Sequence, residues 1–362
     1  MGIKEYKCPN CGGAVKFDSA SQSMKCPFCD TEFEIAALEE HQKDVSLDTG
    51  DNFGWDAGEA GKEWDSSELN DLVGGSCPSC GAELLGDKNT VAMICPNCGN
   101  TQIVMKRLDG ALKPDFVIPF KLDKKDATDA LSKFYNKKRL LPNCFKKGNR
   151  ISEVQGVYLP FWLFDAKTEA HIRYKATKTR VWMDSNYRYV KTDFYSVVRD
   201  GSLNFEKVPV DGSEKMDDAY MDAIEPFDYQ QMKDFQTAFL SGYIAEKYDV
   251  DADTCKERAG KRMKASIETE FRKSVTGYQT VIAESSTVDV RDGKVSYSFF
   301  PVWVLNTKYK DKNFMFLMNG QTGLLVGRLP VDKGKFIKYL ALITGIIGGA
   351  LTAVIQALRF FM

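Results

Sequence analysis

The pattern of apolar and polar positions along the chain is dominated by one uncharged run near its end. Tyr339–Leu358 contains twenty residues without a charge, and as a helix it would span about 30 Å, the thickness of a bilayer's hydrocarbon core. We therefore predict a C-terminal transmembrane helix. The alternative is a buried helix of a soluble protein, and such helices are seldom this long and this free of charge.

The charges beside this run predict its orientation. Lys333, Lys335 and Lys338 precede it and Arg359 follows it, so the N-terminal side should face the cytoplasm. The first residues resemble no secretory signal. We expect a single-pass protein of the cell membrane, with the bulk of the chain cytoplasmic and in contact with membrane lipid at its C-terminal end.

One side of the predicted helix carries small residues at every fourth position. They are Ala341, Gly345, Gly349, Ala353 and Ala357. Small side chains let two helix backbones approach closely in lipid. The pattern favours a homo- or hetero-oligomer that forms through the Gly345/Gly349 face, and a monomeric anchor is the alternative.

Upstream, much of the stretch 107–333 alternates polar and apolar residues, as β-strands do, and blocks with a helical pattern interrupt these strands. The predicted strands are Phe116–Leu122, Val157–Asp165, His171–Met183, Tyr187–Val198, Gly277–Arg291, Lys294–Lys308, Asn313–Met318 and Leu324–Leu329. The predicted helices are Ile35–Lys43, Lys124–Lys138 after an Asp123 cap, Glu214–Ile224, Tyr229–Lys247 and a long charged helix that is capped by Asp251 or Asp253 and ends at Lys273. Turns are expected at Gly293 and at Asn319–Gly323. The fold class is α+β and multidomain, with a mixed antiparallel-sheet/helix body.

Ten cysteines change this picture, because eight of them form four Cys-x-x-Cys units. Cys8, Cys11, Cys26 and Cys29 make the first set, and Cys77, Cys80, Cys95 and Cys98 make the second. Fourteen residues separate the second and third cysteine in each set, and adding 69 to each number of the first set gives the second. The two sets are therefore an internal repeat.

This spacing is typical of four-cysteine zinc ribbons. Four thiolates complete a tetrahedron around Zn²⁺. Each Cys-x-x-Cys turn forms a knuckle that supplies two of them, and a short hairpin between the two knuckles of a set brings the cysteine pairs together. We expect Ala14–Phe17 to pair with Ser23–Lys25, and Ala82–Leu85 with Val91–Ile94. Gly12 and Gly81 permit a left-handed backbone after the second cysteine. The prediction is two structural Zn²⁺ ions per chain; redox dithiols are the alternative, and they usually occur singly.

Composition restricts the remaining functions. With 49 basic and 50 acidic residues the net charge is −1, and neither ribbon carries a basic face, so we do not expect a nucleic acid as a partner. A membrane-tethered nucleic-acid-binding protein is nonetheless the alternative function. The sequence contains no P-loop, GxSxG, HExxH or GxGxxG motif, so we do not expect an enzyme.

Two charged segments stand apart from the ribbons. The stretch Asp44–Gly75 holds nine acidic residues and six glycines, a composition that predicts a flexible linker. Trp55 and Trp64 within it should dock on the protein itself or on a partner. The basic cluster Lys137–Arg150 is either a solvated helix end or a contact with anionic lipid headgroups.

These patterns divide the chain into five predicted regions. They are ribbon 1 (1–34), a short helix with the acidic flexible linker (35–75), ribbon 2 (76–106), the α+β body (107–333) and the anchor (334–362).

Several longer motifs accompany the cysteine sets. They are VIPF at 117–120, YLPFW at 158–162, VPVDGSEKM at 208–216, DFQTAFLSGYIAEKY at 234–248, PVW at 301–303 and MNGQTG at 318–323. Together they resemble the bacterial YdjG-type membrane-anchored double zinc-ribbon proteins, which are also described as TFIIB-type zinc ribbons or mislabelled primosomal helicase PriA. The resemblance covers nearly the whole chain. It implies a non-enzymatic scaffold or adaptor that works with SPFH-domain or PspA-like membrane-stress proteins.

Overall fold

The computed structural model describes residues 6–9, 13–19, 21–46, 50–56, 58, 60–90, 93–106, 111–146, 153–310 and 312–361. The chain divides into two compact units, each assembled from three stretches. Unit 1 comprises Met1–Ala60, Leu163–Val210 and Ala252–Val295. Unit 2 comprises Gly61–Trp162, Asp211–Asp251 and Ser296–Met362.

The described residues form a sheet-rich α/β structure. The strands are β1 (Lys16–Asp18), β2 (Ser23–Lys25), β3 (Glu32–Phe33), β4 (Trp55–Asp56), β5 (Leu72–Ser76), β6 (Glu83–Asp87), β7 (Val104–Lys106), β8 (Phe116–Val117), β9 (Gln155–Met183), β10 (Arg188–Asp211), β11 (Lys233–Asp234), β12 (Ile244–Glu246), β13 (Thr280–Tyr309), β14 (Lys312–Asn319) and β15 (Leu325–Gly327). The α-helices are α1 (Ile35–Ser46), α2 (Ser66–Leu69), α3 (Lys124–Asn136), α4 (Asp218–Ala223), α5 (Ala252–Ser274) and α6 (Lys333–Phe361). Short 3-10 helices cover Asn143–Lys146, Tyr229–Gln231 and Thr237–Leu240.

Unit 1 packs helix α5 against strands β9, β10 and β13. The helix places Asp253 in its first turn and Arg272 and Lys273 in its last, which suits the helix dipole. Its buried side chains recur every three or four residues and form one apolar stripe. The core between helix and strands consists of Ala170, Ile172, Tyr174, Ala176, Val197, Ile267, Val275 and Val288.

Unit 2 is built on a sheet in the order β11-β8-β13-β9-β12-β6-β5-β7, with β14 and β15 following on from β13. Helix α3 starts at a capping box in which Asp123 accepts from the Asp126 N–H at 2.8 Å and the Asp126 side chain accepts from the Asp123 N–H. Ala127, Leu131 and Tyr135 lie four residues apart on one helix face and are buried. They pack on Trp303, Leu305, Phe316 and Met318 of β13 and β14.

Local patterns identified several elements correctly. Helices α3 and α5, the turn at Asn319–Gly323 and the first-ribbon hairpin, with Lys16 opposite Lys25, are confirmed. The predicted turn at Gly293 is wrong, because β13 continues through it. A Cβ at position 293 would lie 2.3 Å from Cδ1 of Trp55, so this glycine allows close approach of the indole instead of a chain reversal.

The predicted helix Tyr229–Lys247 is also wrong. The segment forms two 3-10 turns and the short strands β11 and β12. Gly242 adopts a φ of +80°, which ends any helix there. Beyond it, Ala245 pairs in parallel with Tyr158 of β9 and antiparallel with Leu85 of β6. These distant strands override the local helical pattern.

The acidic segment differs from the flexible linker that its composition predicts. Trp55 is buried and its Nε1–H donates to the Asp165 carbonyl at 3.0 Å, while its ring meets the edge of Phe164 with centroids 5.2 Å apart. Trp64 meets Phe235 edge-on at 5.8 Å. Docking of both indoles on the protein itself offsets the chain entropy that the composition alone leaves uncompensated.

The C-terminal helix α6 contains one candidate membrane span, Lys333–Arg359. Asp332 caps it by accepting from the Lys335 N–H at 3.1 Å, and the Lys335 ammonium donates to the Leu141 carbonyl at 2.6 Å. Every side chain in the range 340–359 is exposed. Thr344 and Thr352 donate to carbonyls of their own helix, which satisfies these hydroxyls within a single helix.

Candidate metal centres

The second cysteine set forms a closed cluster of four sulfur atoms. The Sγ atoms of Cys77, Cys80, Cys95 and Cys98 all lie within 4.8 Å of one another. Cys77 and Cys98 are 3.5 Å apart, and Cys80 and Cys95 are 3.4 Å apart. Among the described cysteines there is no disulfide.

The first set repeats this arrangement in the residues that the structure describes. Cys8, Cys26 and Cys29 cluster within the same 4.8 Å limit, and the Cys8 and Cys29 sulfurs are 3.6 Å apart. Cys11 and Gly12 lie outside the described residues. The cluster sits over a small core with Val15 and Leu38, beside the three-stranded sheet β1-β2-β3.

Backbone hydrogen bonds position the cysteines identically in both copies. The Cys8 N–H donates to the Gly13 carbonyl at 2.7 Å, and the equivalent Cys77 N–H donates to Ala82 at 2.8 Å. The second Cys-x-x-Cys unit of each set matches as well. The Cys26 N–H donates to the Thr31 carbonyl at 3.0 Å, and the Cys95 N–H donates to the Asn100 carbonyl at 2.9 Å. Each of these pairs is related by the 69-residue offset, so the sequence repeat is also a structural repeat.

A left-handed residue ends three of the described knuckles. Gly81 has a φ of +76° and Gly99 a φ of +73°, whereas Asp30 occupies the position equivalent to Gly99 at +55°. Glycine reaches this conformation without strain and Asp tolerates it. The turn folds each cysteine pair onto one side of the knuckle.

The spacing of the sulfur atoms suits a tetrahedral metal ion. Zinc–thiolate bonds of about 2.3 Å place tetrahedral sulfurs about 3.8 Å apart, and the three sulfur pairs above fall within a few tenths of an ångström of that value. An all-thiolate donor set favours a soft or borderline ion such as Zn²⁺ over Mg²⁺ or Ca²⁺. Each cluster could therefore hold a metal ion, and four protein ligands would leave no open position for catalysis.

Proton affinity differs among the thiols of the second cluster. Burial raises the pKa of the Cys77 thiol, but hydrogen bonds from the Cys80 and Ser79 backbone N–H groups and from neighbouring thiols outweigh burial, so the pKa falls to about 7. Burial raises the pKa of Cys80 and of Cys95 above the ordinary thiol value. A bound cation must displace these protons, so metal affinity should fall as the pH falls.

Two polar side chains beside the sulfurs were not singled out by the sequence analysis. The Thr31 hydroxyl lies 3.2 Å from the Cys29 sulfur, and the Asn100 amide donates to the Cys77 sulfur at 3.9 Å. Thr31 and Asn100 occupy equivalent positions, 69 residues apart. Their equivalent positions, two residues after the last cysteine of each set, are the feature of the sequence that could have indicated a role beside the sulfurs.

A buried carboxyl group ties the second cluster to the sheet of unit 2. Glu246, in β12, is 1% exposed. Its Oε1 accepts from the Asn97 amide at 2.8 Å and from the Ser213 hydroxyl at 3.2 Å, while Oε2 has no partner in the described part of the chain. Burial raises the pKa of this carboxyl from 4.5 to about 7. Asn97 lies between Cys95 and Cys98, so the knuckle is fastened directly to β12.

The ribbon 2 hairpin pairs differently from the prediction. Strand β6 pairs with β5 and β12, and Met93 and Ile94 are in no strand. Val91 lies outside the described residues. The two ribbons are thus alike at their knuckles and different in their sheets, because β6 has joined the main sheet of unit 2.

Other residues from the sequence analysis lie away from the clusters. His171 is a strand residue whose Nδ1 is 2.6 Å from Asp200. In the basic cluster, Lys137, Lys138 and Arg139 are exposed beside Leu329–Val331, just before α6. Lys147 and Arg150 lie outside the described residues. Strands β9 and β13 pack through their aromatic side chains, with Phe161 stacked on Phe300 at 4.3 Å.

Comparison with known proteins places the chain in a family. No family model matches the sequence, and no solved structure matches it. A curated relative from Bacillus subtilis (strain 168), "Uncharacterized protein YdjG", is 34% identical over 351 residues, which cover 97% of this chain and 96% of the relative. Because the similarity extends over almost the whole of both chains, the protein belongs to the YdjG family.

Proposed function

We propose that the chain is a zinc-stabilised, tail-anchored scaffold that recruits partner proteins to the inner face of the cell membrane. In this proposal α6 anchors the chain in the membrane, the cysteine clusters stabilise the surfaces that bind partner proteins, and the protein catalyses no chemical reaction.

The exposure of α6 is the observation that carries the proposal. All side chains from position 340 to 359 are exposed, although a core helix of a soluble protein buries at least one face. Leaving nine large aliphatic side chains in water is costly, and insertion into a bilayer removes that cost. The exposed Lys137–Arg139 cluster close to the start of α6 supports the same orientation, since anionic lipid headgroups attract cations at the cytoplasmic surface.

Zinc is the proposed metal of both clusters. Cys77, Cys80, Cys95 and Cys98 would hold one ion, and Cys8, Cys26 and Cys29 would hold the other together with Cys11. The ion would supply a cross-link that small hairpins need for stability. The sulfur spacing and the four-thiolate donor set support this assignment.

A protein partner is proposed because nothing in the clusters favours a small substrate or a nucleic acid. The resemblance described above implies an SPFH-domain or PspA-like protein. Tail anchoring is compatible with such a role, because it leaves both units accessible on one side of the membrane.

Affinity purification of the full-length protein tests the proposal. The tagged chain is expressed in its own host, extracted in mild detergent and analysed by mass spectrometry. We expect an SPFH-domain or PspA-like protein to co-purify, and recovery of the tagged chain alone would count against the scaffold role.

Two variants separate anchorage from recruitment. A chain ending at position 333 should move to the supernatant after high-speed sedimentation of lysed cells, whereas the full-length chain should sediment with membranes. A Cys77→Ser/Cys80→Ser chain should stay in the membrane and recover less partner. Retention of the shortened chain in membranes after alkaline extraction, which removes proteins held only at the lipid interface, would contradict the assignment of α6 as the anchor.

A further inference from the structure

The hairpin formed by β9 and β10 in unit 1 extends beyond the rest of its sheet. Its turn is closed by mutual backbone hydrogen bonds between Asp184 and Tyr187, at 2.9 and 3.3 Å. The third strand, β13, begins at Thr280, level with Thr177, and Gln279 donates to the Thr179 carbonyl at 2.8 Å. Beyond Thr179, within the part of the chain that the structure describes, only two strands continue, for about 16 Å at 3.3 Å per residue.

The tip of this hairpin is apolar on both faces. Trp182 and Tyr189 stack on one face with ring centroids 5.4 Å apart. On the other face are Val181, Met183 and Val190, of which Met183 is 78% exposed. All large apolar side chains of the tip are exposed, and they are Val181, Trp182, Met183, Tyr187, Tyr189 and Val190.

Cations lie one row behind these aromatic rings. Strand pairing puts Arg180 and Lys191 two residues from Trp182 and Tyr189, about 6.6 Å along the strands. Arg188 is a further cation at the tip, and within the described residues Arg180 and Arg188 have no ion-pair partner. The stretch 178–193 contains four basic and two acidic residues, so the tip is positively charged.

This arrangement does not stabilise the hairpin in water. A two-stranded hairpin without a third strand is marginally stable, and an exposed apolar patch of this kind usually marks an interaction site. A protein partner that covered one face would leave the other exposed. Immersion in a lipid interface covers both faces together, and it places Trp and Tyr at headgroup depth with Arg and Lys directed to the phosphates.

We propose that the β9–β10 tip, residues 180–191, inserts into the interface of a membrane that contains anionic lipid. The inference rests on the membrane anchorage in the proposed function, because α6 would keep the chain at the bilayer. The tip then gives unit 1 a contact with lipid of its own, in addition to the anchor.

Tryptophan quenching in proteoliposomes tests this contact on the full-length chain. The protein is reconstituted into phosphatidylcholine vesicles with increasing phosphatidylglycerol, and part of the phosphatidylcholine carries bromine on its acyl chains. Trp182 should be quenched by the brominated lipid. Trp182→Phe should remove that quenching, whereas Trp64→Phe, a matched control in unit 2, should retain it.

Charge variants test the role of the anionic headgroups. Arg180→Gln and Arg188→Gln should each lower the apparent partitioning of the tip about fivefold. Both side chains are outside the core, so the variants should fold normally. Quenching that is unaffected by phosphatidylglycerol and by these substitutions would overturn the role of anionic lipid.

The outcomes distinguish this inference from the proposed function. If the chain remains in the vesicles after alkaline extraction but Trp182 is not quenched, lipid contact by the tip is overturned and the anchor stands. If alkaline extraction removes the chain, the anchorage fails and the inference fails with it. Quenching of Trp182 by single-stranded DNA, with none by anionic vesicles, would assign the tip to nucleic acid and overturn the lipid proposal.

Discussion

Replacing Glu246 with glutamine should stabilise the protein at pH 8 and leave its stability near pH 5 almost unchanged. The folded protein raises the pKa of Glu246 from 4.5 to about 7, because the carboxyl is buried and no cation among the described residues is bonded to it. Between these two values the folded chain keeps a proton that the unfolded chain has released. The free energy of unfolding therefore falls as the pH rises through this window.

The expected magnitude follows from the width of the window. Each pKa unit corresponds to 1.36 kcal/mol, so the ionised carboxyl destabilises the fold by about 3 kcal/mol once the pH exceeds both values. Glutamine has the shape of the protonated acid and can still accept from Asn97 and Ser213. Glu246→Gln should thus lie within about 1 kcal/mol of the wild type at pH 5 and exceed it by about 3 kcal/mol at pH 8.

Thermal unfolding of the two full-length proteins, followed by circular dichroism in mild detergent with zinc present, measures this difference. The two proteins share every cysteine, so protonation of the thiols contributes equally to the unfolding free energy of both. Glu270→Gln, a substitution of an exposed helix residue paired with Lys273 at 2.6 Å, is the matched control and should change little at any pH. A difference in midpoint between Glu246→Gln and wild type that is the same at pH 5 and pH 8 would refute the reasoning.

Three further expectations concern the metal, the docked indole and the anchor. Cys26→Ser should lower bound zinc from two ions to one per chain because it breaks one of the two clusters. The control Cys255→Ser, outside both clusters, should keep two ions. Metal analysis after dialysis measures the zinc content, and unchanged zinc in Cys26→Ser contradicts the assignment. Trp55→Ala should cost about 3–5 kcal/mol, since it removes a buried ring and a hydrogen bond; an unaltered unfolding midpoint would show that the acidic segment contributes no stability. Gly345→Leu/Gly349→Leu should reduce cross-linked oligomers in membranes without releasing the chain from them, and equal cross-linking in both proteins would leave the small-residue face without a role.

Features that depend on neighbouring residues could be predicted from the sequence. The grouping of the cysteines follows from Cys-x-x-Cys spacing, which places two sulfurs on one turn whatever surrounds it. Helix α3 starts at Asp123 because the capping residues themselves satisfy the free N–H groups. The candidate span is recognisable because its composition alone decides it.

Features that depend on distant partners could not be predicted. Ile244–Glu246 is a strand because β6 and β9 flank it, and neither strand is near in sequence. Glu246 acquires its shifted pKa from the same placement. Trp55 docks beside Gly293, which is more than 200 residues away in sequence. The composition of the acidic segment therefore indicated a flexible linker, although tertiary contacts form strand β4 there.

The interleaving of the two units has a practical consequence for anyone trimming this protein. Each unit draws on three separated stretches, and β9 and β13 supply residues to both. A gene fragment cut at a unit boundary would lack strands that its own product requires. Soluble versions should be made by removing only the terminal helix, and a protease nick in a connecting loop should leave both pieces associated until denaturant is added.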